Sequence, residues 1–235
     1  DYNTYGAAAL REVERTYNQK FGYSLGYTRT NFDLHDSDDR DYSDTFHIGV
    51  HNSYKKNDWV LKNSLLGRVS MHNTERKIKW SSEESSKLEG NYNTYGVSSL
   101  NELGKEIDVA KGVKLVPYAG LELGYMVHDS FTEKGGIEAL EVKGNDAYSV
   151  KPGVGIRAEG KKELGENSDW QVKGILEAGY EYELGKYNKE EKARLNLLES
   201  DYHALSKPAD EKGRFKTAAT VGVEAKGKYG VYLTA

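Results

Sequence analysis

Four stretches of the sequence alternate between uncharged and polar residues with hardly a break: 113–128, 148–159, 170–184 and 215–226. Every second residue, counted from Val113, Tyr148, Trp170 and Phe215, gives 28 positions with no charge among them. The 27 positions in between carry 12 charged side chains, in a chain that is 30% charged overall. A period of two belongs to the β-strand, whose successive side chains point to opposite faces. These segments are therefore strands with one apolar and one polar face.

Soluble antiparallel sheets alternate too. Three features favour a sheet that faces lipid. The alternation runs for 16 residues in 113–128 and 15 in 170–184. Strands of globular proteins usually have ~5–6 residues, whereas a tilted strand needs about 9–11 to cross the apolar part of a bilayer. The uncharged face is also thin, built from Ala, Val, Leu and Tyr in a chain with only 5 Phe and 2 Met. A sandwich core needs bulky filling, while a lipid-facing strand need only avoid charge. Finally, the polar face mixes both charge signs with Gly120, Gly124, Gly153, Gly155, Gly179 and Gly222, which suits a crowded, hydrated lumen. The fold expected is all-β, an antiparallel transmembrane β-barrel occupying 1–235 as one domain.

Composition excludes other classes. There is no apolar run of ~20 residues, so no transmembrane helix is expected; a barrel hides its apolar residues in the alternation. No signal peptide is visible at Asp1. Cysteine is absent, which removes disulfide scaffolds and thiolate metal sites. Net charge is −4 with no basic stripe, so nucleic acid is not an expected partner. The 18 tyrosines suit a chain that lies at membrane interfaces.

Strands are expected at about 4–13, 20–32, 44–55, 58–72, 91–104, 112–128, 136–143, 147–161, 168–184, 214–227 and 229–235, with 193–199 a further candidate. The facing of the first and fifth is not clear from the pattern. Short connections fall near 14–19, 56–57, 105–111, 144–146 and 228. Long ones fall at 33–43, 73–90, 129–135 and 185–213. Outer-membrane barrels alternate short periplasmic turns with long external loops in this way. Phe21, Trp59, Tyr148 and Tyr229 open strands after short turns, and Phe46, Trp170 and Phe215 after longer connections, as two aromatic girdles would. The segment Tyr2-Asn3-Thr4-Tyr5-Gly6 recurs once as Tyr92-Asn93-Thr94-Tyr95-Gly96. It reads as a repeated hairpin opening, not a solenoid.

Chemistry-bearing motifs are few. The acidic run at 33–41 has carboxylates at a spacing that could meet Ca²⁺, but lacks the glycine and terminal Glu of an EF-hand. A solvated external loop accounts for it better. Asp and His near a barrel rim could activate water in a protease, yet nothing in the sequence fixes such a geometry. His47 and His51 share a strand face about 13 Å apart, too far for one metal. No Gly-x-Ser-x-Gly elbow occurs, and Gly153–Gly155 has no strand-turn-helix context for phosphate. No catalytic residue, metal site or cofactor is expected.

The alternation divides the candidate residues by face. The lumen set is Lys114, Glu122, Lys151, Arg157, Glu159, Lys173, Glu177, Glu181, Lys216 and Glu224. Lys114, Arg157 and Lys173 can there neutralise Glu122, Glu159, Glu177 and Glu181, avoiding isolated ions. The lipid set is Leu121, Leu123, Val154, Ile156, Leu176, Val221 and Val223.

Three runs then carry a resemblance: Leu115-Val116-Pro117-Tyr118-Ala119-Gly120-Leu121-Glu122-Leu123-Gly124-Tyr125, Phe131-Thr132-Glu133-Lys134-Gly135-Gly136, and Leu140-Glu141-Val142. With Asn101-Glu102-Leu103-Gly104 before them and Pro152-Gly153-Val154-Gly155-Ile156-Arg157 after, they resemble the C-terminal translocator of bacterial autotransporters, the fusobacterial branch most. The resemblance implies a 12-stranded barrel in the bacterial outer membrane that exports its own N-terminal passenger. Its implied partners are outer-membrane lipid, the barrel assembly machinery and that passenger in cis. A general channel of the porin kind is the alternative reading. Two departures stand out. The family closes on a strand ending in an aromatic residue, and threads a linker helix through the pore; this sequence shows neither, so a segment lacking passenger, pore helix and closing strand is expected. Pro117 and Pro152 also fall inside strands, where a missing N–H is unwelcome. The family carries a proline at the first position; the second has no such counterpart.

Overall fold

The computed structural model describes all residues except 1, 17, 34–38, 82–83, 166–168, 187–189, 198–200, 205–211, 226–228 and 235. Its strands are β1 (Tyr2–Thr16), β2 (Gln19–Asp33), β3 (Arg40–Lys56), β4 (Trp59–Lys79), β5 (Ser85–Lys105), β6 (Ile107–Ala110), β7 (Val113–His128), β8 (Phe131–Thr132), β9 (Leu140–Val142), β10 (Asn145–Glu163), β11 (Trp170–Tyr182), β12 (Lys192–Leu195), β13 (His203–Ala204), β14 (Gly213–Ala225) and β15 (Tyr229–Thr234). Ten form one antiparallel wall in the order β1-β2-β3-β4-β5-β7-β10-β11-β14-β15. β6 continues β5 along β7 after a break at Glu106. The remaining four pair as β13-β12-β9-β8 in a separate small sheet.

Tight turns define one end of the wall. Asn57, at φ 55°, and Asp58 join β3 to β4, in the left-handed conformation that Asn tolerates. Long connections mark the other end, where the segments between β7 and β10 and between β11 and β14 supply the small sheet.

The register aligns the two faces across the whole wall. One row reads Leu25, Ile48, Gly67, Val97, Tyr125 and Tyr148. Another reads Ala119, Val154, Tyr180 and Phe215. The curl of the sheet decides which face is inside. Side chains two strands apart meet at Arg157–Glu102 across β7, Tyr118–Glu177 across β10, Lys55–Glu106 across β4 and His51–Glu12 across β2. All four contacts lie on the polar face, so that face is concave and the apolar face convex.

Both prolines fall where pairing is interrupted. β5 leaves β7 at Gly104↔Tyr118 and β6 takes over at Ile107↔Leu115, so Pro117 faces the gap. The β10–β11 ladder stops at Gly153↔Glu181. Beyond it Leu184 N–H reaches Val150 C=O at 2.9 Å, and the Glu183 carboxylate takes the Val150 N–H at 3.0 Å. Pro152 sits between, at the ladder's end, where no donor is called for.

Three expectations are corrected. Segment 136–143 is not a wall strand: β7 pairs directly with β10, and only Leu140–Val142 is extended, in the small sheet. Three residues bounded by Gly136 and Gly144 are too few to cross a bilayer. Removing that strand reverses two girdle assignments, so Tyr148 opens β10 at the long-loop end and Trp170 opens β11 at the tight-turn end. The supposed loop 73–90 is mostly hairpin, paired out to Lys79↔Ser85. Its charges lie on both faces because a strand beyond the lipid needs no apolar side.

Candidate functional site

The concave face carries the chemistry, and pairing on it is dense. Arg157 is the centre. Its Nη1 and Nη2 donate to Glu102 at 3.0 and 2.8 Å, its Nε to Glu177 at 2.9 Å. The guanidinium lies 5.0 Å from the centre of the Tyr118 ring, whose hydroxyl donates to Glu177 at 2.7 Å. Lys62 approaches Glu102 at 3.6 Å. The cluster thus ties β4, β5, β7, β10 and β11 together, and removing charges from water is offset by near-complete hydrogen bonding.

Smaller pairs surround it. Lys55 meets Glu106 at 2.7 Å and Lys114 joins the same carboxylate. Lys151 lies 3.1 Å from Glu122 and 4.0 Å from Glu183. Lys173 meets Glu224 at 2.7 Å, and Glu181 receives Lys216 at 3.5 Å and Arg214. Glycines make room for the large groups: a Cβ on Gly155 would lie 2.5 Å from the Tyr118 hydroxyl, and one on Gly22 2.1 Å from the His51 ring.

All ten residues of the expected lumen set share this face by register, from Lys114↔Glu159 to Gln171↔Glu224. The pairing differs from the one expected. Lys114 binds Glu106, Lys173 binds Glu224, and only Arg157 takes expected partners, Glu177 and, at 3.9 Å, Glu159. Sequence reasoning missed Glu102, Glu106, Lys55, Lys62, Tyr118 and Glu183. The one signal for Glu102 was its place in the Asn101-Glu102-Leu103-Gly104 run. The seven residues of the lipid set lie on the convex face, Leu121 beside Pro152 and Leu123 beside Val150. There Leu176 is 64% and Val154 62% exposed.

The histidines do not gather. His47 bonds Thr28 at 3.1 Å and His51 bonds Glu12 at 3.4 Å. Among the described residues no three His, Asp or Glu side chains are placed to hold a metal ion. Asp41 and His72 do meet at the long-loop rim, 3.3 Å apart. His72 is stacked flat on Tyr92 at 4.4 Å, and Tyr92 on Phe131 at 4.8 Å, so the pair is part of a packed wall. The rest of the acidic run, 34–38, lies outside the described residues.

Phe131 belongs to a cap. The small sheet docks where β5 rises beyond β7, through paired backbone bonds of Glu89 and Lys134 at 2.9 Å. Arg76 grips the Glu133 carboxylate with Nε at 3.0 Å and Nη2 at 2.5 Å, and donates to Glu138 C=O at 3.1 Å. Leu88 is fully buried beneath, with Ala139, Val142 and Ala193 also buried nearby in the cap. On the outer side Glu141 accepts from Tyr202 at 2.7 Å and Arg194 at 2.8 Å. The Tyr202 hydroxyl and then the Arg194 guanidinium hold the Glu141 carboxyl below its ordinary range.

The whole of residues 1–235 matches the family model of the autotransporter beta-domain. Two solved structures share the fold. The translocator domain of the autotransporter NalP from Neisseria meningitidis superposes with a TM-score of 0.67 at 15% identity, covering 99% of this chain and 72% of that one. The β domain of the Bordetella autotransporter BrkA gives 0.60 at 13% identity, covering 99% and 82%. No curated protein matches the sequence.

Proposed function

This chain belongs to the autotransporter β-domain family, and on that premise we propose that its mainly apolar convex face meets outer-membrane lipid while its ion-paired concave face lines the path of its own passenger. It is a translocator barrel of the bacterial outer membrane. The observation that carries the facing is the strand-skipping hydrogen bonds, which make the polar side concave. In lipid a backbone must satisfy its own polar groups, and the wall of paired strands does so except along the outer edges of β1 and β15. An unfolded passenger exposes both N–H and C=O groups and side chains of either sign. A lumen whose charges are already paired offers such a chain hydration without a strong trap. The work is physical, with no catalytic residue assigned. The tight-turn end faces the periplasm and the cap the outside, and insertion is by the barrel assembly machinery.

The test places charge on each face in turn. Val154→Arg or Leu176→Arg should prevent heat-modifiable barrel formation and surface exposure of the passenger, since an arginine near the midplane costs ~2–4 kcal/mol. Lys151→Ala and Glu122→Ala, outside the Arg157 cluster, should leave the barrel assembled. Equal tolerance on both faces overturns the facing.

A further inference from the structure

The convex face is not uniform. On β7, β10, β11 and β14 it carries neither Asn nor Gln. On β4 and β5 it carries Asn73, Asn91 and Asn93 toward the long-loop end, and near the tight turns β3, β4 and β5 carry three more in one registered row, Asn52↔Asn63↔Asn101. The row lies four residues from the tight-turn rim, where Lys56, Trp59 and Lys105 are also in register. At ~3.3 Å per residue and about 40° of tilt, that is ~10 Å into the wall. Four residues deeper stands Gly67, flanked by Ile48 and Val97. With no side chain there, an apolar groove of about 690 Å³ opens between Phe46, Ile48, Val97 and Tyr125.

The amides are partly satisfied along the row. Asn63 Nδ2 donates to Asn101 Oδ1 at 2.7 Å, Asn101 Nδ2 to Ser99 at 3.0 Å, and Gln19 Nε2 to Asn52 Oδ1 at 3.0 Å. Each amide nitrogen has two hydrogens, so donors outnumber the acceptors these bonds supply. A donor left in hydrocarbon is costly. Reading inward from the rim, the surface offers cations with an aromatic ring, then amide donors, then an apolar groove. Lys105 Nζ lies 5.9 Å from the centre of the Trp59 ring, which keeps one cation at the rim. A phospholipid offers the complement in the same order: phosphate, acceptor-only ester carbonyls, acyl chain.

We propose that the convex surface of β3–β5 is a binding site for one phospholipid of the periplasmic leaflet, its phosphate at Lys56 and Lys105, its ester carbonyls at the Asn52–Asn63–Asn101 row and an acyl chain in the groove over Gly67. The site rests on the reading above that the convex face meets lipid and the tight turns face the periplasm. It gives the β3–β5 side a fixed depth in the inner leaflet, whereas the amide-free side slides over bulk lipid.

The test uses the full-length protein extracted from outer membranes in mild detergent. Native mass spectrometry counts the lipids retained, and the stripped protein is then offered vesicles of phosphatidylethanolamine with phosphatidylglycerol. Three variants are compared with wild type: Asn63→Leu with Asn101→Leu, Gly67→Leu, and Ala178→Leu on the convex face of β11 as control. A Cβ at Gly67 meets nothing nearer than Ile48 Cγ2 at 3.4 Å, so the groove is filled without strain, and leucines on this face favour membrane assembly. Wild type and Ala178→Leu should retain one phospholipid. The other two should lose it about tenfold, as expected for two missing hydrogen bonds or a filled groove. Equal retention by all four, no retained phospholipid, or retained lipopolysaccharide in its place overturns the site. Heat-modifiable mobility and passenger exposure are read in parallel: their loss in wild type would overturn the translocator reading instead.

Discussion

Arg157→Met is the sharpest probe of the concave face. The change keeps the length and apolar stem of the side chain but removes three hydrogen bonds, at 3.0, 2.8 and 2.9 Å. It leaves Glu102 and Glu177, whose side chains are only 10% and 17% exposed, without their main partner. Removing one member of a buried ionic cluster costs about 3–5 kcal/mol. Lys62 remains 3.6 Å from Glu102 and the Tyr118 hydroxyl remains on Glu177, so the lower end, about 3 kcal/mol, is expected. The triple change Arg157→Met, Glu102→Gln, Glu177→Gln removes the orphaned charges as well. It should return to within about 1.5 kcal/mol of wild type, as neutral replacements of whole clusters often do. Arg157→Lys should fall between, because one ammonium cannot serve two carboxylates in the fork geometry. The assay is equilibrium urea unfolding of the barrel in phospholipid vesicles, followed by tryptophan fluorescence. An equal loss in single and triple variants would show that packing, not pairing, is what Arg157 supplies. A loss under about 0.5 kcal/mol in the single variant would show that the cluster is fully solvated.

Other outcomes follow from the same contacts. Gly155→Ala should displace the Tyr118 hydroxyl and cost about 1–3 kcal/mol, and adding Tyr118→Ser should recover only part of it, because the new Cβ also lies 2.8 Å from the Ala178 carbonyl oxygen, as a double-mutant cycle can show. Phe131→Ala removes the ring stacked on Tyr92 and should raise amide exchange at 139–142 and 192–195 while wall amides keep their protection; equal loss in the wall would refute a separately closing cap. Glu141 is held low by Tyr202 and Arg194, so its contribution is present above the ordinary Glu range, near pH 4.3, and fades as pH falls through the lowered value. Protection at 192–195 relative to intrinsic amide exchange should therefore be flat from neutral pH down to that range and fall below it, and Glu141→Gln should abolish the fall.

The sequence displayed the wall most clearly where lipid constrains it. Val113–His128 and Trp170–Tyr182 alternate cleanly, as they should if every second residue meets lipid on the proposed facing. Outside the bilayer that constraint lapses. The hairpin beyond Asn73 and Asn91 sets Lys77 against Lys87 and Glu75 against Glu89, a pattern that reads as loop and folds as strand. The facing of β1 was obscure for a related reason: Arg11 sits on the convex side, in the row of Tyr23 and Val50. Face membership was legible in the candidate site because it is a property of one strand at a time. Partners were not, since Arg157 finds Glu102 by crossing β7, and that reach depends on the curl of the whole sheet. The cap was illegible for the same reason, Leu140–Val142 pairing with Lys192–Leu195 across more than fifty residues.

The distribution of buried side chains shows that two different solvents stabilise this chain. Of the seven buried hydrophobic residues described, Leu88, Ala139, Val142 and Ala193 belong to the cap region, and Leu88 is the one large side chain shut off completely. The wall between its rims has no apolar core of its own. Most of its leucines and valines lie on the convex face, Val60, Leu66, Leu100 and Val116 excepted, and its concave face is built mainly of ion pairs, hydroxyls and glycines. On the facing proposed above, lipid takes the place of a core for the wall, while water drives the cap together by ordinary burial. The cap in turn rests on strands that the lipid holds in place, through Arg76 on β4 and Leu88 on β5.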